Sequence, residues 1–112
     1  MVKYILQSFK TNGRAGGIRL FMDYLKLPHE DEIVELDEWP KIKESTPFGK
    51  LPVLISNEEN FILPETLAIY RFLAMKHGGF PEKLEEQVLC DSFGHHIRDY
   101  LLKVGLFSEA KS

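Results

Sequence analysis

The sequence predicts an α/β fold in which a small β-sheet carries helices on its faces and is followed by one long helix. Two observations lead to this prediction. The first 79 residues alternate in the order strand, helix, strand, strand, strand, helix. From residue 82 to 107, apolar side chains recur every four or five positions, as on an imperfect helical stripe. We therefore expect a sheet domain over residues 1–79 and a helical segment over 80–112.

The first third of the chain has the pattern of a strand–helix–strand unit. Residues 2–8 alternate apolar and polar side chains, which is typical of a strand with one buried face. Residues 14–25 follow the i, i+3, i+4, i+7 spacing of a helix face, with Ile18, Phe21, Met22 and Leu25. Pro28 ends this helix, and residues 32–36 predict a second short strand. Two strands joined in this way should be parallel.

The remainder of the sheet domain reads as a hairpin followed by a helix. Residues 51–55 and 60–63 are short apolar segments separated by a polar turn. Residues 65–77 predict a helix that Gly78 and Gly79 end. Its expected buried side chains are Leu67, Ile69, Phe72, Leu73 and Met75. Residues 37–44, between the two halves, predict a polar loop or short helix that carries Trp39.

The most informative segment is residues 46–54, because it places a proline at the start of an apolar strand. Pro52 cannot donate to a sheet ladder, so it belongs at a strand start, an edge or a bulge. The Leu51–Pro52 bond is therefore a candidate cis peptide. Leu51 would then present its backbone to an extended peptide ligand. Glu65 and Thr66 follow at a predicted helix start, where backbone N–H groups bind anions.

Composition and charge exclude several classes of function. The net charge is −3 with the signs interspersed, so we expect no nucleic-acid partner and no membrane binding. The apolar segment at the N-terminus is too short for a signal peptide, and no segment of the sequence is long and apolar enough to span a membrane. The single cysteine, Cys90, excludes an internal disulfide and suits a cytoplasmic location. We expect Cys90 to be a small buried residue without an activating neighbour.

Two further chemistries are not predicted. His95 and His96 are adjacent, and neighbouring helix positions point about 100° apart, so they make a poor chelate and no metal site is expected. The chain also has no Cys-x-x-Cys pair, which argues against a dithiol oxidoreductase.

The predicted helix over residues 82–107 is long for the domain that precedes it. At 1.5 Å per residue it would extend about 39 Å. A compact domain of 80 residues is roughly 25 Å across. Part of the apolar stripe therefore needs a partner, either further helices or a second copy of the chain.

Several of these residues resemble one known family, the glutathione S-transferases, and in particular the sigma class with its prostaglandin D synthase and nematode members. The resemblance rests on Trp39-Pro40 with Lys43, on residues 47–52 and on residues 65–73. Residues of the same type as in that family also occur at Tyr4, Phe9, Arg14, Arg19 and Tyr24. It implies a thioredoxin-like βαβ-ββα domain over residues 1–79 and the first helix of a truncated all-helical domain over 80–112.

The resemblance also implies a glutathione site. Pro52 would be the cis proline, and the backbone of Leu51 would pair with the cysteinyl part of the tripeptide. Glu65 and Thr66 would hold the γ-glutamyl end. The residues expected around the glycyl carboxylate are Trp39, Lys43 and Lys50. Glutathione has two carboxylates, which need cations or helix N-termini, and one ammonium, which needs a carboxylate.

Three departures from the family pattern point away from ordinary transferase activity. The catalytic tyrosine of the sigma class is replaced by Ser8. An acidic residue that reaches the neighbouring subunit is replaced by His95. Most of the helical domain, which forms the site for the second substrate, is absent from the sequence.

The resemblance makes the activation of the glutathione thiol the central chemical question. A free thiol has a pKa of about 8.5. For half of the glutathione to be thiolate at pH 7, the site must therefore stabilise the thiolate by roughly 2 kcal/mol. One hydrogen bond to a charged group contributes about 1.5–3 kcal/mol. Ser8 could donate such a bond, although it is shorter than tyrosine. Thr11 is a second candidate donor, and Arg14 could stabilise a thiolate by its charge.

Each candidate also has a plain structural interpretation. Ser8 could be an ordinary strand-end hydroxyl, and Arg14 could only balance nearby acids. Glu65 and Thr66 could cap a helix. Trp39 could belong to the core, whereas Lys43 and Lys50 could be solvated surface charges.

Three hypotheses for the whole chain follow. The first is a glutathione transferase that adds the thiolate to small electrophiles, or isomerises a lipid endoperoxide, and forms a homodimer through the long helix. The second is a non-catalytic glutathione-binding or dimerisation module. The third is a truncated product with an exposed apolar face.

Overall fold

A computed structural model describes residues 3–10 and 13–96 of the 112-residue chain. The strands β1 to β4 are Tyr4–Phe9, His29–Val34, Val53–Ser56 and Phe61–Pro64. The helices α1 to α3 are Gly13–Tyr24, Trp39–Ile42 and Thr66–His77, and a 3₁₀ turn at Lys43–Ser45 follows α2. A fourth helix, α4, begins at residue 84 and continues to the end of the described range. The predicted βαβ-ββα architecture with an added helix is confirmed.

The four strands form one mixed sheet in the order β2-β1-β3-β4. The central strand β1 is parallel to β2, as expected for two strands joined through a helix. It is antiparallel to β3, which forms the predicted hairpin with β4. The sheet therefore brings the end of β1, the start of β3 and the end of β4 to one edge.

The core lies between one face of the sheet and helices α1 and α3. Along β1, buried and half-buried side chains alternate, because successive residues of a strand point to opposite faces. The buried row is Tyr4, Leu6 and Ser8. Ile18 and Met22 of α1 and Ile69 and Leu73 of α3 complete the core. Burying each such apolar side chain contributes roughly 1.5–3 kcal/mol.

The close packing of α1 against α3 depends on Gly17. A Cβ added at Gly17 would collide with the hydroxyl oxygen of Tyr70, while the next ring atom, Cζ, would be at an ordinary 3.5 Å. The ring of Tyr70 also packs against Phe21, with 5.7 Å between ring centroids. Burial raises the pKa of the Tyr70 hydroxyl. Gly17 has a low helix propensity, but its missing side chain leaves room for Tyr70.

Two local predictions are wrong. Strand β2 is His29–Val34 rather than residues 32–36, because its register is set by parallel pairing with the whole of β1 and not by its own apolar residues. Met75 is 59% exposed, although burial was expected. It lies two positions beyond the buried Leu73, and a two-residue step turns about 200° around a helix, to the opposite side.

Helix α4 contacts α3 along one line of its surface. Arg71 of α3 forms an ion pair with Asp91, and a Cβ added at Gly94 would lie 3.0 Å from the side chain of Leu67. Other apolar side chains on α4 are exposed, among them Leu84, Val88, Leu89 and Phe93. None of the described helices is long and apolar enough to cross a membrane.

Cys90 is exposed, so the expectation of a buried cysteine is wrong. It lies beside the contact line of α4, which runs through Asp91 and Gly94, and no described element covers it. The stripe that was predicted beyond residue 96 lies outside the described residues. The division of the chain at residue 79 stays a prediction.

A polar cluster lies at the other end of the sheet, far along β1 from Ser8. The hydroxyl of Tyr4 and Nε2 of His77 are hydrogen-bonded over 2.8 Å. Lys3 and Lys76 are both close to Glu58, at 3.2 and 3.8 Å. Burial, with the two lysines second, lowers the pKa of His77, so the neutral ring is favoured.

The lowered pKa of His77 predicts a pH-dependent stability. As the pH is lowered, His77 is protonated first in the unfolded chain, at the ordinary histidine pKa of about 6.5. The free energy of unfolding should therefore be highest above this pH and fall as the pH decreases toward the folded-state pKa. Urea unfolding between pH 7.5 and 5.5 measures the effect. A His77→Gln variant should lose this part of the slope, whereas His96→Gln should retain it; equal slopes in both would contradict the assignment.

The Gly17 contact predicts that a better helix former destabilises the protein. Alanine is favoured over glycine in a helix by about 1 kcal/mol, yet Gly17→Ala should lower the free energy of unfolding by about 1–2 kcal/mol through overpacking. Tyr70→Phe removes the colliding oxygen, so Gly17→Ala should become neutral or stabilising in that background. Denaturant titration of the two single variants and the double variant measures this coupling, and purely additive effects would refute it.

Candidate functional site

The candidate site lies where the predicted ligand residues meet at one edge of the sheet. Val53 pairs with Gln7 of β1 on one side and with Pro64 of β4 on the other. One step further along, Pro52 therefore lies between Ser8 and Glu65. The Leu51–Pro52 peptide bond is cis, which confirms the sequence prediction. Pro52 is buried and Leu51 is half-buried.

Glu65 connects β4 to α3 in an unusual backbone conformation. Its φ and ψ are 74° and 117°, a region that residues with a side chain rarely adopt. Such a residue costs about 1–3 kcal/mol and persists only where the surrounding structure imposes it. Thr66 is the first residue of α3, and no side chain caps the helix. The first N–H groups of α3 are therefore available to an anion at this position.

Trp39 reaches the site from the end of β2. The chain leaves β2 at Val34 and begins α2 at Trp39, with Pro40 in the first turn, where a missing N–H costs nothing. The Trp39 ring packs edge-on against Phe9, the residue after Ser8, with 5.1 Å between centroids. Trp39 is half-buried.

Lys43 is brought near Lys50 by a turn at Gly49. Gly49 has a φ of 68°, which favours glycine, and a Cβ there would lie 3.3 Å from Cε of Lys43. The aliphatic part of Lys43 thus passes over the backbone that leads to Lys50. Thr46 Oγ1 donates to the Lys43 carbonyl over 2.6 Å and holds the turn. Among the described residues, no carboxylate forms an ion pair with either lysine.

Ser8 is held in a polar contact that sequence reasoning missed. It is 2% exposed and lies on the face of the sheet that the helices cover. Nη2 of Arg19 donates to Ser8 Oγ over 2.6 Å, and Nε of the same guanidinium donates to Asp31 over 2.8 Å. The signal was indirect: Ser8 follows Tyr4 and Leu6 in the strand alternation, so its hydroxyl faces α1, which carries Arg19.

A cavity of about 610 Å³ opens at the same edge, beside the Phe9–Trp39 pair. Its lining surface is mostly apolar, and its described lining residues are Phe9, Lys10, Val34, Glu35, Leu36 and Asp37. Ligands of α/β sheets commonly bind beyond the carboxyl ends of strands, which is where β1 and β2 end here.

The structure describes only some of the other candidate residues that the sequence predicts. Arg14 lies in the first turn of α1, but its side chain falls outside the described part, and so does Thr11. His95 and His96 are exposed on α4. No three histidine, cysteine or acidic side chains of the described residues are grouped as a metal site would require.

Comparison with known proteins decides the family. Residues 15–81 match the family model of the glutathione S-transferase N-terminal domain. The chain belongs to the glutathione S-transferase family. It is 37% identical over 101 residues to glutathione S-transferase 4 of Caenorhabditis elegans and 41% identical over 101 residues to the human hematopoietic prostaglandin D synthase. The resemblance to nematode and sigma-like members is thereby confirmed.

The likeness extends to structure but covers only part of each relative. A monomeric glutathione S-transferase from the hookworm Necator americanus superimposes with a TM-score of 0.82 at 35% identity, over 95% of this chain and 51% of that one. The two sequence relatives are matched over 90% of this chain and over 48% and 50% of their own lengths. The chain thus spans about half the length of these family members.

The positive φ of Glu65 yields a test of the site's strain. Glu65→Gly should raise the free energy of unfolding by about 1 kcal/mol, because glycine adopts this conformation without a Cβ penalty. Glu65→Gln keeps the Cβ and should leave stability unchanged, which makes it the matched control. Urea unfolding of the three proteins provides the comparison, and a less stable glycine variant would show that the backbone is not strained.

Proposed function

We propose that this glutathione S-transferase family member binds glutathione at the sheet edge formed by residues 51–52 and 65–66. The observation that supports the proposal is the register around Pro52. In this register a backbone segment with a cis proline, a residue that carries a carboxylate and a helix N-terminus follow directly on paired residues of neighbouring strands. These are three features that an extended tripeptide with two carboxylates and one ammonium requires.

The two ends of the tripeptide would be recognised by charge. The carboxylate of Glu65 would bind the α-ammonium of the γ-glutamyl residue, and Thr66 with the first N–H groups of α3 would bind its carboxylate. The glycyl carboxylate would lie against Lys43 and Lys50, which no described carboxylate neutralises. Trp39 would cover the glycyl end. The cysteinyl backbone would pair with Leu51.

The proposed reaction is transfer of the glutathione thiolate to a small electrophile. The sulfur would lie near Ser8, with the hydroxyl of Ser8 or the charge of Arg14 stabilising the thiolate. The cavity beside Phe9 is large enough for a small apolar electrophile. Isomerisation of a lipid endoperoxide is an alternative reaction of the same thiolate, and its support is the similarity to the human prostaglandin D synthase.

A non-catalytic glutathione-binding module is the second candidate function. One observation favours it: Ser8 is 2% exposed, which restricts the access of a glutathione sulfur to its hydroxyl. Such a module would bind the tripeptide at the same edge but leave its thiol protonated.

We also propose that the chain forms a homodimer through α4 and acts in the cytoplasm. The support for a dimer is the set of exposed apolar side chains on α4, and the similarity to a monomeric hookworm enzyme makes a monomer the competing state. A cytoplasmic location is supported by the single cysteine, which suits a reducing compartment.

Isothermal titration with glutathione tests the proposed binding. The wild-type chain should bind the tripeptide, and Glu65→Gln should weaken binding about tenfold, because it removes the partner of the ammonium. Glu86→Gln, at an exposed position of α4, makes the same change of charge and should bind like wild type. Binding by a folded chain that is indifferent to Glu65, or no binding at all, would refute the proposal.

Turnover of a chromogenic aryl halide separates the two candidate functions. Transfer activity that requires glutathione and is lost in Glu65→Gln supports the enzyme. Binding of glutathione without turnover supports the module.

A further inference from the structure

The proposed function leaves two members of the polar cluster around Ser8 without a role, namely Arg19 and Asp31. The cluster joins three elements, since Arg19 is on α1, Ser8 on β1 and Asp31 on β2. The guanidinium side chain is 16% exposed and the carboxylate 38%. Asp31 therefore partly offsets the charge of Arg19 on the solvent side, whereas Ser8 lies on the shielded side.

The direction of the contact determines what Ser8 can do. Arg19 can only donate, so Ser8 Oγ accepts in this bond and its own proton points elsewhere. No acceptor among the described residues receives that proton. Ser8 is nevertheless almost fully buried, and it lies next to Pro52 at the edge where the sulfur of glutathione is proposed to lie. A buried hydroxyl whose proton no described residue accepts is suited to an acceptor brought by a ligand.

We propose that Arg19 is a positioning residue that orients the Ser8 hydroxyl toward the glutathione sulfur and strengthens it as a donor. This inference rests on the proposed function. The thiol releases its proton to water, and the sulfur keeps the electron pair that the hydroxyl stabilises. Polarisation by the guanidinium makes the hydroxyl a better donor, because linked hydrogen bonds reinforce one another. The charge of Arg19 also favours the thiolate at short range.

The cluster predicts opposite effects for its two charged members. Arg19→Met should raise the pKa of the bound thiol by about one unit, which leaves roughly tenfold less thiolate at neutral pH. Asp31→Asn removes the partner that offsets Arg19 and should lower the thiol pKa. Arg19→Lys keeps the charge but cannot reproduce both hydrogen bonds of the guanidinium. The thiol pKa in this variant should lie between those of Arg19→Met and the wild type. A purely structural cluster would weaken folding in all three variants without this ordering.

The experiment is a pH titration of the ultraviolet absorbance of the thiolate in protein saturated with glutathione. Calorimetry gives the dissociation constant of each variant separately, and circular dichroism reports its fold. Arg71→Met is the matched control, because it removes an arginine that pairs with Asp91 away from the site and should leave the thiol pKa unchanged.

The outcomes separate this inference from the proposed function. The inference is supported if the pKa of the bound thiol is highest in Arg19→Met, intermediate in the wild type and lowest in Asp31→Asn. Glutathione binding with the same thiol pKa in folded Arg19→Met, or a shift in the same direction for both variants, overturns it and leaves the binding site intact. If Arg19→Met does not fold, Asp31→Asn decides alone, and a thiol pKa at or above the wild-type value overturns the inference. A wild-type chain that binds no glutathione overturns both.

Discussion

Antiparallel pairing on both sides of β3 is the constraint on which the candidate site depends. Val53 is bonded between β1 and β4, and this register alone puts Pro52 between Ser8 and Glu65. A slip of one residue would send the side chains of β3 to the opposite face and turn Leu54 away from the core that it shares with Leu6. The hydrophobic core therefore enforces the register, and the register assembles the site. Stability and the proposed function would therefore depend on the same strand.

The same row of β1 side chains serves the core at one end and the site at the other. Tyr4 and Leu6 are buried among apolar side chains, whereas Ser8 continues the row to the edge of the sheet, where the packing becomes polar. A buried hydroxyl needs a partner, and Arg19 supplies it from α1. Because Arg19 is also tied to Asp31, the helix that covers the core is fastened to two strands at the position where a ligand would arrive. At this position the proposed thiolate site would thus be supported by one helix and two strands.

The family relationship limits how the remaining surface is interpreted. The chain aligns with about half of each relative, and α4 is its last described element. Along α4, only the line through Asp91 and Gly94 touches the sheet domain, and apolar side chains elsewhere on the helix are exposed. This face is consistent with a partner surface, and it is separate from the edge around Pro52. The proposed binding of glutathione and the proposed association through α4 accordingly concern different parts of the molecule.

The sequence by itself determined the order of the elements, the cis Leu51–Pro52 bond and the family, because each depends on local chemistry that neighbouring residues express directly. Proline restricts its own backbone, and the periodic spacing of apolar residues in a helix is recognisable within a few turns. Only the tertiary structure decided the bounds of β2, the exposure of Met75 and Cys90, and the contact of Arg19 with Ser8. These depend on which surfaces meet. An edge strand rich in acidic residues takes its limits from the strand beside it. The guanidinium of Arg19 contacts the hydroxyl of Ser8 on the preceding strand only after the sheet and the helix have packed together.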